Sequence, residues 1–198
     1  KSRGLGDVYK RQPPNDAEHG IYFGRINDYH KGVSRLLELA RRTPELRYSL
    51  VGAIDQSDQV AVDALADLPV NVEFLGPFHG EELYRRVAAA DFFIHPARFE
   101  AFGNTIPEAL SVGCPVIVSQ ETYLSHTLAA REFGNVLDFS DAGGAAADLR
   151  EILSQPEELR RCTARGERWV RDELSSDAVG RSFFRVYEFV IARAARTR

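Results

Sequence analysis

The chain has 198 residues, of which 44% are apolar and 27% are charged, and its formal net charge is −4. This length suits one globular domain with a sizeable core. The acidic balance argues against a nucleic-acid partner, because such a partner requires a broad basic surface. The sequence has neither a run of about 18 apolar residues nor the pattern of a signal peptide. We therefore expect a cytoplasmic protein without a membrane span.

Residues 1–12 look foreign to the rest of the chain. Residues 7–12 resemble a translated transposon-end oligonucleotide from sequencing-library preparation, and a natural basic leader is the alternative. We exclude residues 1–12 from the predicted fold. Residues 13–19 are interpreted as a linker to the domain.

From residue 20 onwards, short apolar runs alternate with longer amphipathic runs, which is typical of alternating strands and helices. The expected strands are 20–24, 47–51, 71–75, 91–95, 115–118 and 134–137. The expected helices are 31–42, 57–66, 80–89, 105–112, 123–129 and 142–154, followed by 156–172 and 176–195. The pattern predicts an α/β domain over 20–175, with a doubly wound parallel sheet of the Rossmann-like type.

Two cations follow the first expected strand. Arg25 comes directly after Gly24, and Lys31 stands six positions further on. Ligands of parallel sheets bind at the carboxyl ends of the strands, so this position suits a binding site. Fixed cations at this position would stabilise an anionic ligand. The alternative is a pair of ordinary surface cations.

Two carboxylates, Glu100 and Glu108, lie eight positions apart across Gly103. Thr105 and Glu108 have the spacing of a capping box, with Thr105 as N-cap, and Pro107 is tolerated in a first helical turn. A helix is therefore expected to begin here, with its free N–H groups facing an anion above Gly103. The alternative is that Glu108 only caps the helix and Glu100 is a solvated loop acid.

These segments together resemble the retaining glycosyltransferases of family 4, which have the two-domain GT-B fold. Arg25 and Lys31 match the G-R-x5-K-G motif of that family, and Glu100 and Glu108 match its Glu-x7-Glu motif. Further matches follow in order at 72–76, 90–96 and 113–118, and the resemblance covers about residues 21–190. It implies the C-terminal, donor-binding half of a GT-B enzyme with additional C-terminal helices, in a sequence that lacks the N-terminal acceptor domain.

The resemblance also implies a role for each matched residue. Arg25 and Lys31 would bind the donor diphosphate and Glu100 the hydroxyls of the donor sugar, and these three are the expected catalytic residues. Glu108 would bind the ribose of the nucleotide. An ionised carboxylate can accept two hydrogen bonds from neighbouring hydroxyls, which suits both acids. The remaining implied donor contacts are Gly24, Leu75, Gly76, Phe102, Gly103, Asn104 and Thr105. No metal or other cofactor is implied.

The implied reaction transfers a sugar from a nucleotide-diphosphate sugar to a sugar or lipid-linked acceptor, with retention of anomeric configuration. It would belong to polysaccharide, lipopolysaccharide or glycolipid synthesis. Because the acceptor would bind in the absent domain, we expect this chain alone to be inactive. The alternatives are a GT-B-fold nucleotide-sugar epimerase or phosphorylase and a non-catalytic nucleotide-sugar-binding module.

Some positions depart from the family pattern. Residues 119–123 replace a Gly-Gly turn with a following acid, and residues 51–55 contain one glycine where Gly-x-Gly is usual. His95 precedes the retained Pro96. We expect His95 to be a strand-end histidine satisfied by the backbone, and contact with the donor is the alternative.

The last segment, 176–198, is expected to be an amphipathic helix. Its apolar stripe consists of Val179, Phe183, Val186, Tyr187, Val190, Ile191 and Ala194, and its basic flank of Arg181, Arg185, Arg193, Arg196 and Arg198. The resemblance implies a helix that crosses back to the absent domain. Weak peripheral association with the inner face of a membrane is the alternative.

Overall fold

The computed structural model of the chain describes residues 19–196, except for the side chains of residues 192 and 194–196. The proposed leader and residues 13–18 of the proposed linker lie outside the described residues. The same holds for Arg198 and for the side chains of Ala194 and Arg196, which belong to the predicted stripe and its basic flank.

Residues 19–196 contain one sheet of six strands. The strands are β1 (His19–Phe23), β2 (Arg47–Val51), β3 (Val72–Gly76), β4 (Phe92–His95), β5 (Val116–Ser119) and β6 (Asn135–Leu137). All neighbours pair in parallel, in the order β3-β2-β1-β4-β5-β6. Each predicted strand is present within a residue or two of its expected bounds, which confirms the parallel Rossmann-like sheet.

The helices alternate with the strands as predicted. They are α1 (Val33–Arg42), α2 (Gln59–Ala66), α3 (Gly80–Ala89), α4 (Thr105–Ser111), α5 (Ser125–Ala130), α6 (Ala142–Leu153), α7 (Pro156–Trp169) and α8 (Ser176–Arg196). The predicted helix 156–172 ends as an α-helix at Trp169, and Val170–Leu174 continues it as a wide π-helical turn.

Both faces of the sheet are buried. Successive strand residues point to opposite faces, so Tyr22 and Phe92 belong to one core and Phe23 and Phe93 to the other. Helices α1, α2 and α6 cover the first face, and α3, α4 and α5 cover the second together with Trp169. Burial on both sides explains why the strands read as almost continuous apolar runs.

The order of the sheet reverses between β1 and β4, which are neighbours in space. The loops that follow them, 24–32 and 96–104, therefore meet at the carboxyl edge of the sheet, where such folds bind ligands. The backbone N–H groups of Arg98 and Phe99 donate to the carbonyl oxygen of His30, at 2.8 and 3.2 Å. This contact fixes the two loops against each other.

The predicted capping box is wrong, although a helix does begin at Thr105. Asn104 occupies the N-cap position with a helical backbone (φ −51°, ψ −29°), and its side chain makes no capping hydrogen bond. The N–H of Glu108 donates to the carbonyl oxygen of Asn104 at 3.1 Å. A capping box requires an extended N-cap residue, whereas here the helical conformation begins before Thr105.

Helix α8 carries the predicted apolar stripe, but the described part of the chain leaves it exposed. The exposed apolar side chains are Val179, Phe183, Phe184, Val186, Tyr187, Phe189, Val190 and Ile191. Among residues 19–196, no helix combines the length and the apolar character needed to cross a membrane.

Candidate functional site

A cavity of about 570 Å³ opens at the carboxyl ends of β1 and β4. All but three of the predicted site residues line it, namely Gly24, Arg25, Lys31, Glu100, Phe102, Gly103, Asn104 and Thr105. Its wall also contains residues that were not predicted as donor contacts, among them Tyr22, Asn27, His30 and Phe99. The reversal of strand order thus brings the two motifs together around one cavity.

Lys31 and Glu100 contact each other directly in this cavity. The ammonium of Lys31 donates a hydrogen bond to Oε2 of Glu100, and the two side chains are 25% and 14% exposed. The imidazole of His95 and the ammonium of Lys31 lower the pKa of Glu100 to about 2, against the opposing effect of burial. Glu100 is therefore ionised at neutral pH. Sequence reasoning gave these residues separate roles and missed the pair.

Arg25 lies at the exposed rim of the cavity, and a hydrogen bond from a buried side chain fixes its backbone. The hydroxyl of buried Tyr22 donates to the carbonyl oxygen of Arg25 at 2.7 Å. Burial and the nearby charge of Glu100 raise the pKa of Tyr22, so this hydroxyl keeps its proton. The chain therefore fixes the backbone of Arg25 and leaves its guanidinium exposed.

The loop that carries Lys31 is held by carboxylate and amide oxygens. Oδ1 of Asn27 accepts from the N–H groups of His30 and Lys31, at 3.3 and 3.0 Å. Oδ2 of Asp58, at the start of α2, accepts from the N–H groups of Asp28 and Tyr29, at 2.6 and 3.0 Å. The Asn-Asp pair is a turn signal in the sequence, but nothing local indicates the contact with Asp58.

Arg98 connects the Lys31 loop with the Glu100 loop. Its guanidinium donates to Oδ2 of Asp28 at 3.1 Å and to Oγ of Ser34 at 3.0 Å. Oδ1 of Asp28 also accepts from the N–H of Ser34, at 2.9 Å. Sequence reasoning missed Arg98, because its partners are about 70 positions away in the chain.

Gly52, directly after β2, is required for steric reasons. A Cβ atom at Gly52 would lie 1.7 Å from the carbonyl oxygen of Gly24, and the φ angle of Gly52 is +152°. The loop after β2 can therefore approach Gly24 only without a side chain. Ala53 then accepts from the N–H of Ile26 at 2.9 Å, which extends the contact between the two loops.

Three predicted site residues lie outside the cavity wall: Leu75, Gly76 and Glu108. The carbonyl oxygen of Gly76 accepts from the N–H of Gly52 at 2.9 Å, at the end of β3. Glu108 is half-buried in α4, and burial raises its pKa. Burial and the charge of Glu108 raise the pKa of Tyr84.

The prediction that the backbone satisfies His95 is wrong. His95 is 1% exposed, and neither of its ring nitrogens has a hydrogen-bond partner among residues 19–196. Its side chain leaves a central strand perpendicular to the sheet, away from the backbone groups that pair with neighbouring strands. It lines the cavity, and its Nε2 lies 3.6 Å from Oε2 of Glu100.

A second cavity of about 460 Å³ shares the Glu100 loop as a wall. Its other side is the turn that replaces the expected Gly-Gly. In that turn the N–H of Tyr123 donates to the carbonyl oxygen of Glu100 at 2.9 Å. The carboxylate of Glu121 pairs with Arg35 at 2.9 Å and accepts from the hydroxyl of Ser119. The turn at residues 119–123 is therefore held by hydrogen bonds and an ion pair, and it contacts the Glu100 loop.

Residues 9–169 match the family described as glycosyl transferases group 1. The chain belongs to this glycosyltransferase family. The phosphatidyl-myo-inositol mannosyltransferase of Mycolicibacterium smegmatis is 30% identical over 183 residues, which cover 89% of this chain and 46% of that protein. This glycosyltransferase chain therefore spans about half the length of the curated relatives it matches.

Solved structures show the same fold. Sucrose-phosphate synthase from Thermosynechococcus elongatus matches with a TM-score of 0.78 at 24% identity, over 96% of this chain and 51% of that one. HepE of Anabaena, solved in complex with UDP and glucose, matches with a TM-score of 0.76 at 19% identity, over 92% and 54%. At these identities the likeness concerns the fold, and it agrees with the Rossmann-like half of a GT-B glycosyltransferase.

Proposed function

We propose that this glycosyltransferase chain is the donor-binding half of a retaining enzyme that uses a nucleoside-diphosphate sugar. The observation that carries the proposal is the cavity in which Arg25, Lys31 and Glu100 meet at the carboxyl ends of β1 and β4. The complex of HepE with UDP and glucose supports the same class of donor. The proposal includes no metal and no other cofactor.

The two cations of the cavity are proposed to bind the donor diphosphate. Arg25 presents an exposed guanidinium at the rim. Lys31 already contacts Glu100, but an ammonium has three donors and can bind a diphosphate oxygen at the same time. As the glycosidic bond breaks, the diphosphate gains negative charge. Fixed cations therefore stabilise the transition state more than the ground state.

Glu100 is proposed to bind hydroxyls of the donor sugar. Its contacts with described residues, from Lys31 and from His95, both fall on Oε2. The second oxygen, Oε1, is therefore the one proposed to accept from the sugar. Because the pKa of Glu100 is about 2, the carboxylate accepts hydrogen bonds at physiological pH and does not donate them.

The nucleoside is proposed to extend from the cavity towards the end of β3. In this arrangement Glu108 binds the ribose hydroxyls, and Leu75 and Gly76 border the base. Glu108 is half-buried and burial raises its pKa, which supports a sheltered carboxylate at this place. Gly103, Asn104 and Thr105 line the same cavity as Arg25 and are proposed to face the phosphates.

The acceptor is proposed to bind in an N-terminal domain that completes the enzyme. Closure of two domains would exclude water and align the acceptor, so the chain alone is proposed to be inactive. The exposed apolar side chains of α8 support packing against that domain. The relative named phosphatidyl-myo-inositol mannosyltransferase supports, by that name, a lipid-linked acceptor and glycolipid synthesis. Polysaccharide synthesis and weak association with the inner face of a membrane belong to the same proposal.

Calorimetric titration of the full chain with UDP, GDP, ADP and their sugar conjugates tests the proposal. We expect one of the three nucleoside diphosphates to bind. Arg25→Ala and Lys31→Ala should each weaken it by about 1.5–3 kcal/mol, the contribution of a charge-assisted hydrogen bond. Arg47→Ala is the matched control, because Arg47 is exposed at the amino end of β2, at the opposite edge of the sheet. No binding, or equal binding by Arg25→Ala and wild type, would refute the proposal.

A further inference from the structure

We propose that His95 is a positioning residue for Glu100: its imidazole holds Oε2 and thereby leaves Oε1 to the sugar of the donor. This inference rests on the proposed function. It adds a residue for which neither the motifs nor the comparisons give a role. It predicts that His95 affects recognition of the sugar and leaves recognition of the diphosphate unchanged.

The first observation is an unsatisfied buried side chain in the wall of the cavity. His95 is 1% exposed, and neither ring nitrogen has a hydrogen-bond partner among residues 19–196. Buried polar side chains nearly always have a partner, because an unpaired one loses its hydration without compensation. A polar group that carries this cost beside a cavity indicates a role in the site.

The second observation is the position of the ring relative to Glu100. Nε2 of His95 lies 3.6 Å from Oε2 of Glu100, the same oxygen that accepts from Lys31. An N–H···O hydrogen bond is about 2.7–3.2 Å long, so a shift of a few tenths of an ångström completes this one. Oε2 then lies between an ammonium and an imidazole, and rotation of the carboxylate is opposed from two sides.

The third observation is that the ring itself is held. It is stacked on Tyr22, with centroids 6.4 Å apart and planes 5° apart, and it contacts Phe93 at 5.7 Å. The hydroxyl of Tyr22 is already used on the carbonyl oxygen of Arg25. The aromatic contacts therefore fix the direction of the ring without providing a partner for its nitrogens.

The charge of the ring fits this role. Burial, together with the charge of Lys31, lowers the pKa of His95 and outweighs the opposing effect of Glu100. A neutral imidazole has one N–H to donate, so it can orient the carboxylate without adding a second positive charge. Oε1 of Glu100 thus remains an acceptor for the hydroxyl groups of the sugar.

The test is a double-mutant cycle in the full chain with His95→Phe and Glu100→Ala. Each variant is titrated with the diphosphate that the wild type binds and with the hexose conjugate of that diphosphate. We expect His95→Phe to bind the diphosphate like the wild type and the conjugate about two- to tenfold more weakly, as for one lost hydrogen bond. In the Glu100→Ala background, His95→Phe should cause no further loss, because it acts through Glu100.

Two further variants separate positioning from a general structural role. His95→Gln can place an amide N–H near the position of the imidazole Nε2 and should recover part of the affinity for the conjugate. His79→Phe is the matched control, since His79 is exposed at the start of α3 and outside the cavity wall. In the ligand-free chain, Glu100→Gln should change the NMR shifts of the His95 ring nitrogens.

Several results would overturn the inference. Equal weakening of the diphosphate and the conjugate by His95→Phe would indicate a structural role. Additive losses in the double variant would indicate that His95 binds the sugar directly, and an unchanged affinity for the conjugate would remove it from the site. If the wild type binds no diphosphate, the proposed function itself fails, which is distinct from binding that is insensitive to His95.

Discussion

Lys31 and Glu100 stand 69 positions apart in the sequence and form an ion pair across the carboxyl ends of β1 and β4. The pair joins the two loops that line the cavity. The pair also offsets part of the positive charge of Lys31. Arg25 is the more exposed of the two cations and lies at the rim of the cavity. A bound diphosphate would therefore be a second anion beside Lys31. Because both anions contact the same ammonium, we expect the position of the Glu100 carboxylate to depend on whether the diphosphate is bound.

The low pKa of Glu100, caused by His95 and by Lys31, makes the stability of the chain depend on pH. The pKa of Glu100 falls from an ordinary value of 4.5 to about 2 in the folded chain. Because the folded-state pKa is depressed, the stabilisation is complete above about pH 4.5 and is lost as the pH falls towards about 2. We expect the difference in free energy of unfolding between wild type and Glu100→Gln, measured in urea, to shrink over this range.

Glu157→Gln is the control for this experiment, because Glu157 forms an exposed ion pair with Arg160 on α7. Its difference from the wild type should remain small at every pH, as for surface ion pairs in general. A difference for Glu100→Gln that stays constant down to about pH 2 would contradict the prediction.

Glu108→Gln should distinguish the nucleoside from the phosphates. If Glu108 binds ribose hydroxyls, loss of its charge should weaken a nucleoside diphosphate by about 1.5–3 kcal/mol and hardly affect inorganic pyrophosphate. Calorimetric titration with both ligands measures this. Equal losses for the two ligands would show instead that the change disturbs the start of α4.

Gly52→Ala should damage both stability and binding. The new Cβ atom would overlap the carbonyl oxygen of Gly24, 1.7 Å away, and alanine would have to adopt a φ of +152°. We expect a loss of about 1–3 kcal/mol in the free energy of unfolding, together with weaker diphosphate binding as Arg25 moves.

Gly180→Ala is the steric control for this prediction. Gly180 lies within α8, and its Cβ would meet nothing within 4 Å. The substitution should leave binding unchanged and raise stability by about 0.5–1 kcal/mol. Equal effects of the two substitutions would show that the contact between Gly52 and Gly24 is unimportant.

Asp58→Ala should loosen the Lys31 loop. Asp58 caps α2 by accepting from the N–H of Ala61 at 3.1 Å, and it also accepts from Asp28 and Tyr29. Asp141 caps α6 in the same way, through the N–H of Gly143 at 2.9 Å, but within residues 19–196 no hydrogen bond joins its side chain to that loop. In chemical denaturation, either alanine variant should lose about 0.5–2 kcal/mol of the free energy of unfolding, as is typical of a missing N-cap.

Affinity for the diphosphate separates these two aspartates. We expect it to fall for Asp58→Ala and to remain at the wild-type value for Asp141→Ala. A parallel fall in both would mean that affinity follows global stability and not the position of Lys31.

The exposed face of α8 should cause self-association of the isolated chain. Phe183, Tyr187 and Val190 are 61%, 63% and 56% exposed, and such apolar patches tend to associate. Sedimentation equilibrium should show a lower average mass when all three are changed to serine. Changing Arg181 and Arg185 to serine on the same helix is the control. Equal masses for wild type and the triple variant would contradict the prediction.

Much of the fold could be predicted from local patterns in the sequence. The period of the apolar residues and the flanking glycines and prolines located the strands and helices to within a few residues, because these signals act over one or two turns. The same signals failed at Thr105, where the spacing of a capping box was present but the preceding backbone was already helical.

The sequence by itself pointed to the residues that are proposed to carry the chemistry: two cations after the first strand and a carboxylate after the fourth. Only the tertiary structure decided how they meet. The pairing of Lys31 with Glu100, the link from Arg98 to Asp28 and the unsatisfied His95 join segments about 70 positions apart or depend on burial. Periodicity and propensity act on neighbours in the chain, whereas these contacts follow from the reversal of strand order between β1 and β4.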